Sequence, residues 1–303
     1  MDHMREQASV LALTARTVGE WHKTASLIEE ARGALRIVEG KAGDIDWLDR
    51  STVEALGSSV TEELVDRYVE LIDEQARRGV RLVTVLDDSY PENLRHVFNR
   101  PPFLFVRGGL EPVDDLAFAI VGTRSASEDG LRQARRLATE FANREITVVS
   151  GLARGIDGAA HEAALAAGGR TIAVFGTGID RVYPSEHENL ARRILRRGAH
   201  VSQFWPDAPP TRFTFPMRNV VTSGMALGTV VVEAHGRSGA RLQARICLEH
   251  GKRLFLVRSL VLQEPWARKF AEHPATTVID SVDQAVEAAS ILTAPLPAQL
   301  TLG

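Results

Sequence analysis

The chain has 303 residues, 44% hydrophobic and 25% charged, a composition typical of a soluble globular protein with one large domain and a smaller one. No apolar run approaches the roughly 18 residues that a membrane-spanning helix needs, so we predict no membrane association. The single cysteine, Cys247, excludes an internal disulfide and a cysteine-based metal cluster. Because the N-terminus shows no secretory signal pattern, we expect a cytoplasmic protein.

The net charge of −3 conceals an uneven distribution along the chain. Residues 1–115 carry 14 basic and 22 acidic side chains, residues 116–258 carry 20 and 12, and residues 259–303 carry 2 and 5. Of the 20 basic residues in the middle segment, 19 are arginine. A basic segment between acidic ones indicates an anionic ligand, although arginines spread over a solvated face would give the same counts.

The first part of the chain is predicted to be mostly helical. Apolar residues recur at three- and four-residue spacing in residues 25–34 and 61–78, as on one face of a helix. Short strands are predicted at residues 80–86 and 103–106, and a glycine- and proline-containing boundary follows near residue 110. We therefore predict a small, acidic, mainly helical N-terminal domain over residues 1–110.

From residue 116 the pattern changes to strands alternating with helices, which indicates an α/β fold with a mostly parallel sheet and helices on both faces. We assign residues 111–290 to this domain and residues 291–303 to a tail. In such a sheet the loops at the carboxyl ends of the strands lie along one edge, where ligands bind. Strands are predicted at residues 116–121, 146–150, 171–175, 200–203, 229–233 and 253–257, with helices near 129–143, 158–167, 186–197, 218–226 and 239–250.

Two loops at this edge combine glycine with hydroxyl and guanidinium donors. Glycine lets a ligand approach the backbone, and a strand that ends in glycines before a helix presents free N–H groups to a phosphate. Arginine adds a planar pair of donors. The loops therefore predict a site for a nucleotide or a nucleic-acid backbone. Its candidate residues are Gly122, Thr123, Arg124, Ser125, Ser150, Gly151, Arg154 and Gly155.

Two further loops at the same edge add the candidates Gly176, Gly178, Glu233, Ser238 and Gly239. Glu233 ends an apolar strand, where an ionised carboxylate needs a partner. It could bind a ribose hydroxyl, pair with an arginine or act as an acid–base group. Tyr183 and Trp205 fit base stacking and a place in the core or rim equally well.

Several other chemistries are not supported by the sequence. None of the loops matches G-x-G-x-x-G or the P-loop pattern, so neither a dinucleotide enzyme nor an NTPase is indicated. His161 lies in an alanine-rich helical stretch with no second histidine at a metal-ligand spacing, which favours a packing role. We predict no cofactor and no metal.

Seven stretches between about residues 88 and 258 together resemble the DprA/Smf family of DNA-processing proteins. In chain order they are Tyr90-Pro-Glu-Asn-Leu94, Pro102-Phe-Leu-Phe-Val-Arg-Gly108, Ala119-Ile-Val-Gly-Thr-Arg124, Val149-Ser-Gly-Leu-Ala-Arg-Gly-Ile-Asp157, Arg170-Thr-Ile-Ala-Val-Phe-Gly-Thr-Gly178, Phe215-Pro-Met-Arg-Asn219 and Val232-Glu-Ala-His-Gly-Arg-Ser-Gly239.

The resemblance implies a Rossmann-like fold and a single-stranded-DNA-binding protein that protects single strands, works as a homodimer and loads a RecA-type recombinase in transformation or recombination. It implies no catalytic turnover. It also implies that Arg124 holds a backbone phosphate, and that Arg218 and Asn219 complete the groove. By the same resemblance, the neighbouring anion pocket consists of Ser150, Gly151, Arg154 and Gly155.

The sequence departs from the family pattern at Val220, where a second arginine is usual, at Gln243, where threonine is usual, and at Arg258-Ser259, where Pro-Gly is usual. We therefore expect a diverged member of the family, without the C-terminal winged-helix module. An alternative function is a small-nucleotide sensor or a nucleotide hydrolase that uses Glu233. A third is a scaffold that binds a protein partner through its acidic N-terminal domain.

Overall fold

The computed structural model describes residues 2–17, 19–236 and 238–293. Its strands are β1 (Val80–Thr84), β2 (Phe103–Gly108), β3 (Ala117–Val121), β4 (Thr147–Ser150), β5 (Thr171–Val174), β6 (Ala199–Ser202), β7 (Gly228–Val231), β8 (Arg253–Val257) and β9 (Thr276–Ile279). Its α-helices are α1 (Asp2–Arg16), α2 (Trp21–Glu30), α3 (Ala34–Val38), α4 (Arg50–Ser58), α5 (Glu62–Arg77), α6 (Glu92–Arg95), α7 (Glu128–Ala142), α8 (Ile156–Ala166), α9 (Glu188–Ile194), α10 (Thr214–Gly224), α11 (Gly239–Glu249), α12 (Arg258–Gln263), α13 (Pro265–Ala271) and α14 (Val282–Thr293). Short 3-10 turns lie at Pro112–Asp115 and Ser185–His187.

All the strands belong to one sheet, in the order β1-β2-β6-β5-β4-β3-β7-β8-β9. The pairs β1–β2 and β2–β6 are antiparallel, and every pair from β6 to β9 is parallel. From β3 the chain builds outward through β4, β5 and β6 on one side, and from β7 through β8 and β9 on the other. The strand order therefore reverses between β3 and β7, which is the topological switch point where α/β sheets bind ligands.

The parallel strands from β3 to β8 are buried on both faces, which explains why they appear in the sequence as continuous apolar runs. Helices α7, α8 and α14 cover one face, where Phe118 of β3 lies 5.4 Å from Phe141 and 6.0 Å from Phe255, measured between ring centroids. Helices α11, α12 and α13 cover the other face, around Leu254 and Leu256. The predicted Rossmann-like sheet with helices on both faces is thus confirmed.

The N-terminal helices pack against β1, β2 and the segment after β6. Aromatic side chains form a cluster there. Trp205 lies 5.3 Å from Phe103 and is stacked on Tyr68 of α5 at 5.4 Å, both measured between ring centroids. Of the roles left open for Trp205, packing is the one that the structure gives it. Because β1 and β2 form the edge of the same sheet, the helical region is continuous with the core there. The boundary near residue 110 stays a prediction.

Strands β1 to β8 begin and end within two residues of their predicted positions, and β8 matches its predicted range. The sequence did not predict the elements after β8. β9, with Thr276 and Thr277, has no apolar run, and the prediction missed it together with α12 and α13. Helix α14 includes residues 291–293 of the predicted tail, and residues 294–303 lie outside the described residues. In the described part of the chain, no helix has the length and apolar character to cross a membrane.

Two buried histidines are held neutral by the fold. His161 is fully buried on α8. The Thr171 hydroxyl donates its one proton to the Val148 carbonyl, so it accepts the hydrogen bond of 2.7 Å from His161 Nδ1. His200 on β6 donates from Nε2 to the Ala191 carbonyl at 2.9 Å. Burial is the main cause that lowers the pKa of His161 to about 3 and that of His200 to about 4. His161 therefore has the packing role favoured by the sequence.

We expect stability to fall as the pH drops below the ordinary histidine pKa near 6.5. The unfolded chain takes up protons there while the folded rings do not, so the stabilisation present above pH 6.5 is progressively lost. At pH 5 the loss is on the order of 2 kcal/mol for each ring. Urea unfolding at pH 7 and pH 5 measures it. His200→Gln keeps a donor for the Ala191 carbonyl but cannot be protonated, and should reduce the pH dependence. Equal unfolding free energies of the parent at the two pH values would contradict the assignment.

Candidate functional site

A groove opens at the switch point between the carboxyl ends of β3 and β7. Its larger cavity, about 370 Å³, is bounded by the loop after β3 and by helices α10 and α11. The residues that line it include Gly122, Thr123, Arg124, Asp157, Phe215, Arg218, Asn219, Thr222, Ser238, Gly239 and Gln243. A smaller cavity, about 40 Å³, shares Arg124, Phe215 and Arg218 and adds Gly151, Arg154 and Tyr183. We call the two together the switch-point groove.

Arg124 and Phe215 form the exposed part of this groove. The guanidinium carbon of Arg124 lies 5.2 Å from the centroid of the Phe215 ring, and that ring lies 5.7 Å from the ring of Tyr183. Within the part of the chain that the structure describes, no carboxylate forms an ion pair with Arg124. A cation without a counter-ion beside two aromatic rings suits a ligand that has both negative charge and flat rings.

Arg218 forms the floor of the groove. It is only 8% exposed, its Nη1 donates to the Val174 carbonyl at 3.1 Å, and its Nε has no partner among the described residues. Burial lowers the pKa of Arg218, and the attraction of Asp157 opposes this. Arg124 repels the same guanidinium. An anion between the two arginines would relieve that repulsion, so the groove favours negative charge.

Asp157 balances the buried arginine. Its Oδ2 accepts from the backbone N–H groups of Gly151 and Ala153 at 3.2 and 3.4 Å. Burial raises the pKa of this carboxyl, and Arg218 and the backbone donors oppose the rise. Arg218 and Asp157 both line the groove and attract each other through space, without a direct ion pair between them in the described residues. Both backbone N–H groups, those of Gly151 and Ala153, are therefore already bonded within the protein.

Close backbone contacts fix the loops relative to one another. Gly155 has φ +71°, and a Cβ there would collide with the Thr123 carbonyl. The Thr123 N–H donates to the Glu233 carbonyl at 2.6 Å, which joins the loops after β3 and β7. Three loops from separate parts of the sequence therefore form one rigid edge.

Glu233 has a partner that the sequence did not suggest. Its Oε2 accepts from the Ser127 N–H at 3.1 Å and from the Ser127 hydroxyl at 2.7 Å. Ser127 is the N-cap of α7, and its hydroxyl also accepts from Gly130 N–H at 3.0 Å. A carboxylate is stabilised at a helix N-terminus by the helix dipole. The Glu233 side chain thus connects the loop after β7 to the start of α7, and does not line the groove.

Other candidates also lie outside the groove lining. Ser150 is buried and its hydroxyl donates to the Ile120 carbonyl at 2.6 Å. Gly176 lies against the Phe215 ring and Gly178 against the backbone of the segment after β6, so both glycines leave room for neighbouring groups. Ser125 is exposed beside the groove.

Arg154 lines the smaller cavity but is already paired, since its Nε donates to Glu186 Oε1 at 2.7 Å. The candidates that the structure does bring into the groove are Gly122, Thr123, Arg124, Gly151, Arg154, Arg218, Asn219, Ser238 and Gly239. Arg237, in the last of the family-like stretches, lies outside the described residues.

The groove residues that sequence reasoning did not propose for the site include Phe215, Asp157, Thr222 and Gln243. Phe215 is three residues before Arg218 on α10, a spacing that places both on one helix face, and that spacing was the available signal. Gln243 is buried on α11 and, in the orientation that satisfies its amide, bonds the Asn219 carbonyl and the Ser223 N–H. The described residues hold no group of three or more His, Cys, Asp or Glu that could ligate a metal ion.

The fold and groove define a Rossmann-like protein with an arginine-lined groove at one edge of its sheet. Residues 81–289 match the family model described as DNA recombination-mediator protein A. The chain belongs to this family, as its resemblance to DprA/Smf proteins predicted.

Individual relatives and solved structures are consistent with this family assignment. Protein Smf of Escherichia coli is 42% identical over 175 residues, 57% of this chain and 47% of Smf, so the chain spans about half that relative. DNA processing protein DprA of Streptococcus pneumoniae is 33% identical over 232 residues, 75% of this chain and 82% of DprA. The X-ray structure of S. pneumoniae DprA aligns with TM-score 0.65 at 26% identity, over 91% of this chain and 96% of that one. DNA processing protein A of Helicobacter pylori shares the fold, with TM-score 0.61 at 24% identity over 68% and 94% of the two chains.

Two glycines of the groove should respond differently to alanine. A Cβ at Gly151 would overlap the guanidinium of Arg218, whereas no described heavy atom lies within 4 Å of a Cβ at Gly239. We expect Gly151→Ala to displace the buried arginine and lower the unfolding free energy by about 2 kcal/mol or more. Gly239→Ala, the matched control, should change it by no more than about 0.5 kcal/mol. Denaturant unfolding of both variants measures this, and equal stabilities would contradict the packing of Arg218 on Gly151.

Proposed function

We propose that this protein binds single-stranded DNA in the switch-point groove. The observation that carries the proposal is Arg124, an exposed guanidinium without an ion-pair partner in the described residues, set over Phe215 and beside buried Arg218. A nucleotide chain combines the phosphate that the two cations attract with the base that the aromatic ring accepts.

Each part of the groove has a role in this proposal. Arg124 binds a backbone phosphate, and Arg218 adds fixed positive charge beneath it. Phe215, with Tyr183 beside it, offers a stacking face for a base, which is favourable for every base. Affinity should therefore depend strongly on salt and little on sequence.

The family supports this choice of ligand. Its model is described as a recombination mediator, and the relatives in E. coli and S. pneumoniae are Smf and a DNA processing protein. The H. pylori protein, which shares the fold, has a single-stranded DNA binding mode.

A binding role fits the groove better than a catalytic one. Glu233 was the candidate acid–base residue of the alternative nucleotide hydrolase, and its carboxylate accepts two hydrogen bonds from Ser127. A carboxylate committed to capping α7 is poorly placed to activate water for attack on a nucleotide. We therefore assign Glu233 a structural role.

Arg124→Ala should weaken binding of a labelled oligo-dT strand about tenfold, because it removes one charge-assisted phosphate contact. The slope of log K against log salt should become shallower by about 0.7, the value for one phosphate on a single strand. Arg192→Ala is the matched control, since Arg192 is an exposed arginine on α9 outside the groove lining. Fluorescence anisotropy at several salt concentrations measures both variants. An affinity of Arg124→Ala equal to that of the control would remove Arg124 from the site.

Competition distinguishes strand binding from the small-nucleotide alternative. AMP should fail to displace the bound strand, because one nucleotide satisfies only part of the groove. Displacement by AMP near its own dissociation constant, or no strand binding at all, would instead favour a small-nucleotide sensor.

We infer that the bound strand is passed to a RecA-type recombinase, and that the protein acts as a homodimer. The description of the family as a recombination mediator supports the transfer step. The protein should shorten the lag of RecA ATPase activity on DNA coated with single-strand-binding protein, and Arg124→Ala should shorten it less. A lag that the parent protein leaves unchanged would limit its role to binding, and light scattering of the purified protein tests the dimer.

A further inference from the structure

Of the three arginines that line the switch-point groove, only Arg154 forms a direct ion pair within the described residues. Its partner is Glu186, and the contact is bidentate: Nε donates to Oε1 at 2.7 Å and Nη2 donates to Oε2 at 2.5 Å. The hydrogen bond from Arg154 lowers the pKa of the Glu186 carboxyl, which is therefore ionised at neutral pH. One cation of the groove is thus neutralised by a side chain of the protein.

Two segments that border the smaller cavity bring this pair together. Arg154 is in the loop after β4, and Glu186 is in the 3-10 turn that follows Tyr183. The turn is joined to that loop, because His187 Nδ1 donates to the Leu152 carbonyl at 2.8 Å. This hydrogen bond keeps the turn, and with it the Glu186 carboxylate, next to the loop that carries the arginine.

The ion pair is weak enough to be exchanged. The side chains of Arg154 and Glu186 are 61% and 49% exposed. Water and dissolved salt screen such a pair, so it contributes little to stability. A phosphate offers a guanidinium the same bidentate geometry as a carboxylate does. A phosphate that reaches Arg154 can therefore replace Glu186 with little loss of stability.

A dissolved phosphate and a phosphate of a bound strand differ in this exchange. Glu186 belongs to the same chain as Arg154 and is held beside it, so it competes at a high effective concentration. A dissolved phosphate ion has no such advantage. Arg124 lines the same small cavity as Arg154, so a strand bound at Arg124 presents a further phosphate nearby, also at a high effective concentration. The strand phosphate can therefore displace the carboxylate where dissolved phosphate cannot.

We propose that Glu186 is a displaceable counter-ion, which keeps dissolved phosphate and single nucleotides away from Arg154 and is replaced there by a phosphate of the strand. This proposal rests on the proposed function and names a residue that sets the selectivity of the same groove. It implies that strand affinity is lower than it would be without the carboxylate. It also implies that this affinity is less sensitive to dissolved phosphate.

Glu186→Gln tests the competition, because it removes the charge and keeps the size of the side chain. Fluorescence anisotropy should show that it binds oligo-dT about fivefold more tightly than the parent, since the phosphate no longer replaces an ion pair. The salt slope should become steeper by about 0.7, because Arg154 then adds one net phosphate contact. Glu140→Gln is the matched control and should change neither quantity. Glu140 pairs with Arg144 at 2.6 Å and lies outside the groove lining.

A double-mutant cycle shows whether Glu186 acts through Arg154. Arg154→Ala should weaken strand binding only about twofold in the parent, where the phosphate contact replaces an existing ion pair, and about tenfold in the Glu186→Gln background. An equal loss in the two backgrounds would overturn the proposal, because Glu186 would then act only as a distant negative charge.

Inorganic phosphate tests the selectivity, at an ionic strength held constant with chloride. The strand affinity of Glu186→Gln should begin to fall at about fivefold lower phosphate concentration than that of the parent, in proportion to the lost competition. Equal sensitivity of the two proteins would contradict the selective role. An oligo-dT affinity of Glu186→Gln equal to that of the parent, while Arg124→Ala is impaired, would overturn the proposal and leave the proposed function standing. If the parent protein binds no strand, the proposed function itself fails.

Discussion

The buried charges of Arg218 and Asp157 are the constraint on which the groove depends. Burial disfavours the charged form of each side chain, and the attraction between the two charges opposes that effect. Arg218 comes from α10 and Asp157 from α8, and the guanidinium fits only because residue 151 is glycine. The attraction between the two charges and the close approach at Gly151 therefore link α8, α10 and the loop after β4, and leave a positive floor at the point where the strand order reverses.

The groove divides its cations by exposure. Arg218 is buried and already bonded to Val174, so it supplies a fixed field, whereas Arg124 is exposed on an aromatic ring. A buried cation forms few direct contacts with a mobile ligand, but its charge attracts an anion in the groove whatever the orientation of that anion. The exposed cation can follow the phosphates of a flexible strand. This division suits a ligand that has a regular charge spacing but no fixed shape.

Glu233 is a residue whose type and position suggested a chemical role, whereas the structure gives its carboxylate a structural role. At the end of an apolar strand it resembled an acid–base or ribose-binding group, and the alternatives could not be separated in sequence. The structure places it 2.7 Å from the Ser127 hydroxyl, 106 positions earlier in the chain. A capped α7 and a fixed loop after β7 are the result, and these hold Gly122 and Thr123 in position.

The sequence by itself determined the parallel sheet, its strand positions and the loops that carry Arg124, Gly151 and Arg218, because buried strands require continuous apolar runs and glycines permit close approach. It did not determine β9, whose threonines lack such a run, or the place of Trp205 in the aromatic cluster. Which candidates share a groove was decided by the tertiary structure alone. Ser150 and Glu233 carry suitable groups, but both are committed to partners distant in sequence. Phe215 and Asp157 enter the groove because α10 and α8 converge there, and such convergence is a property of packing rather than of spacing along the chain.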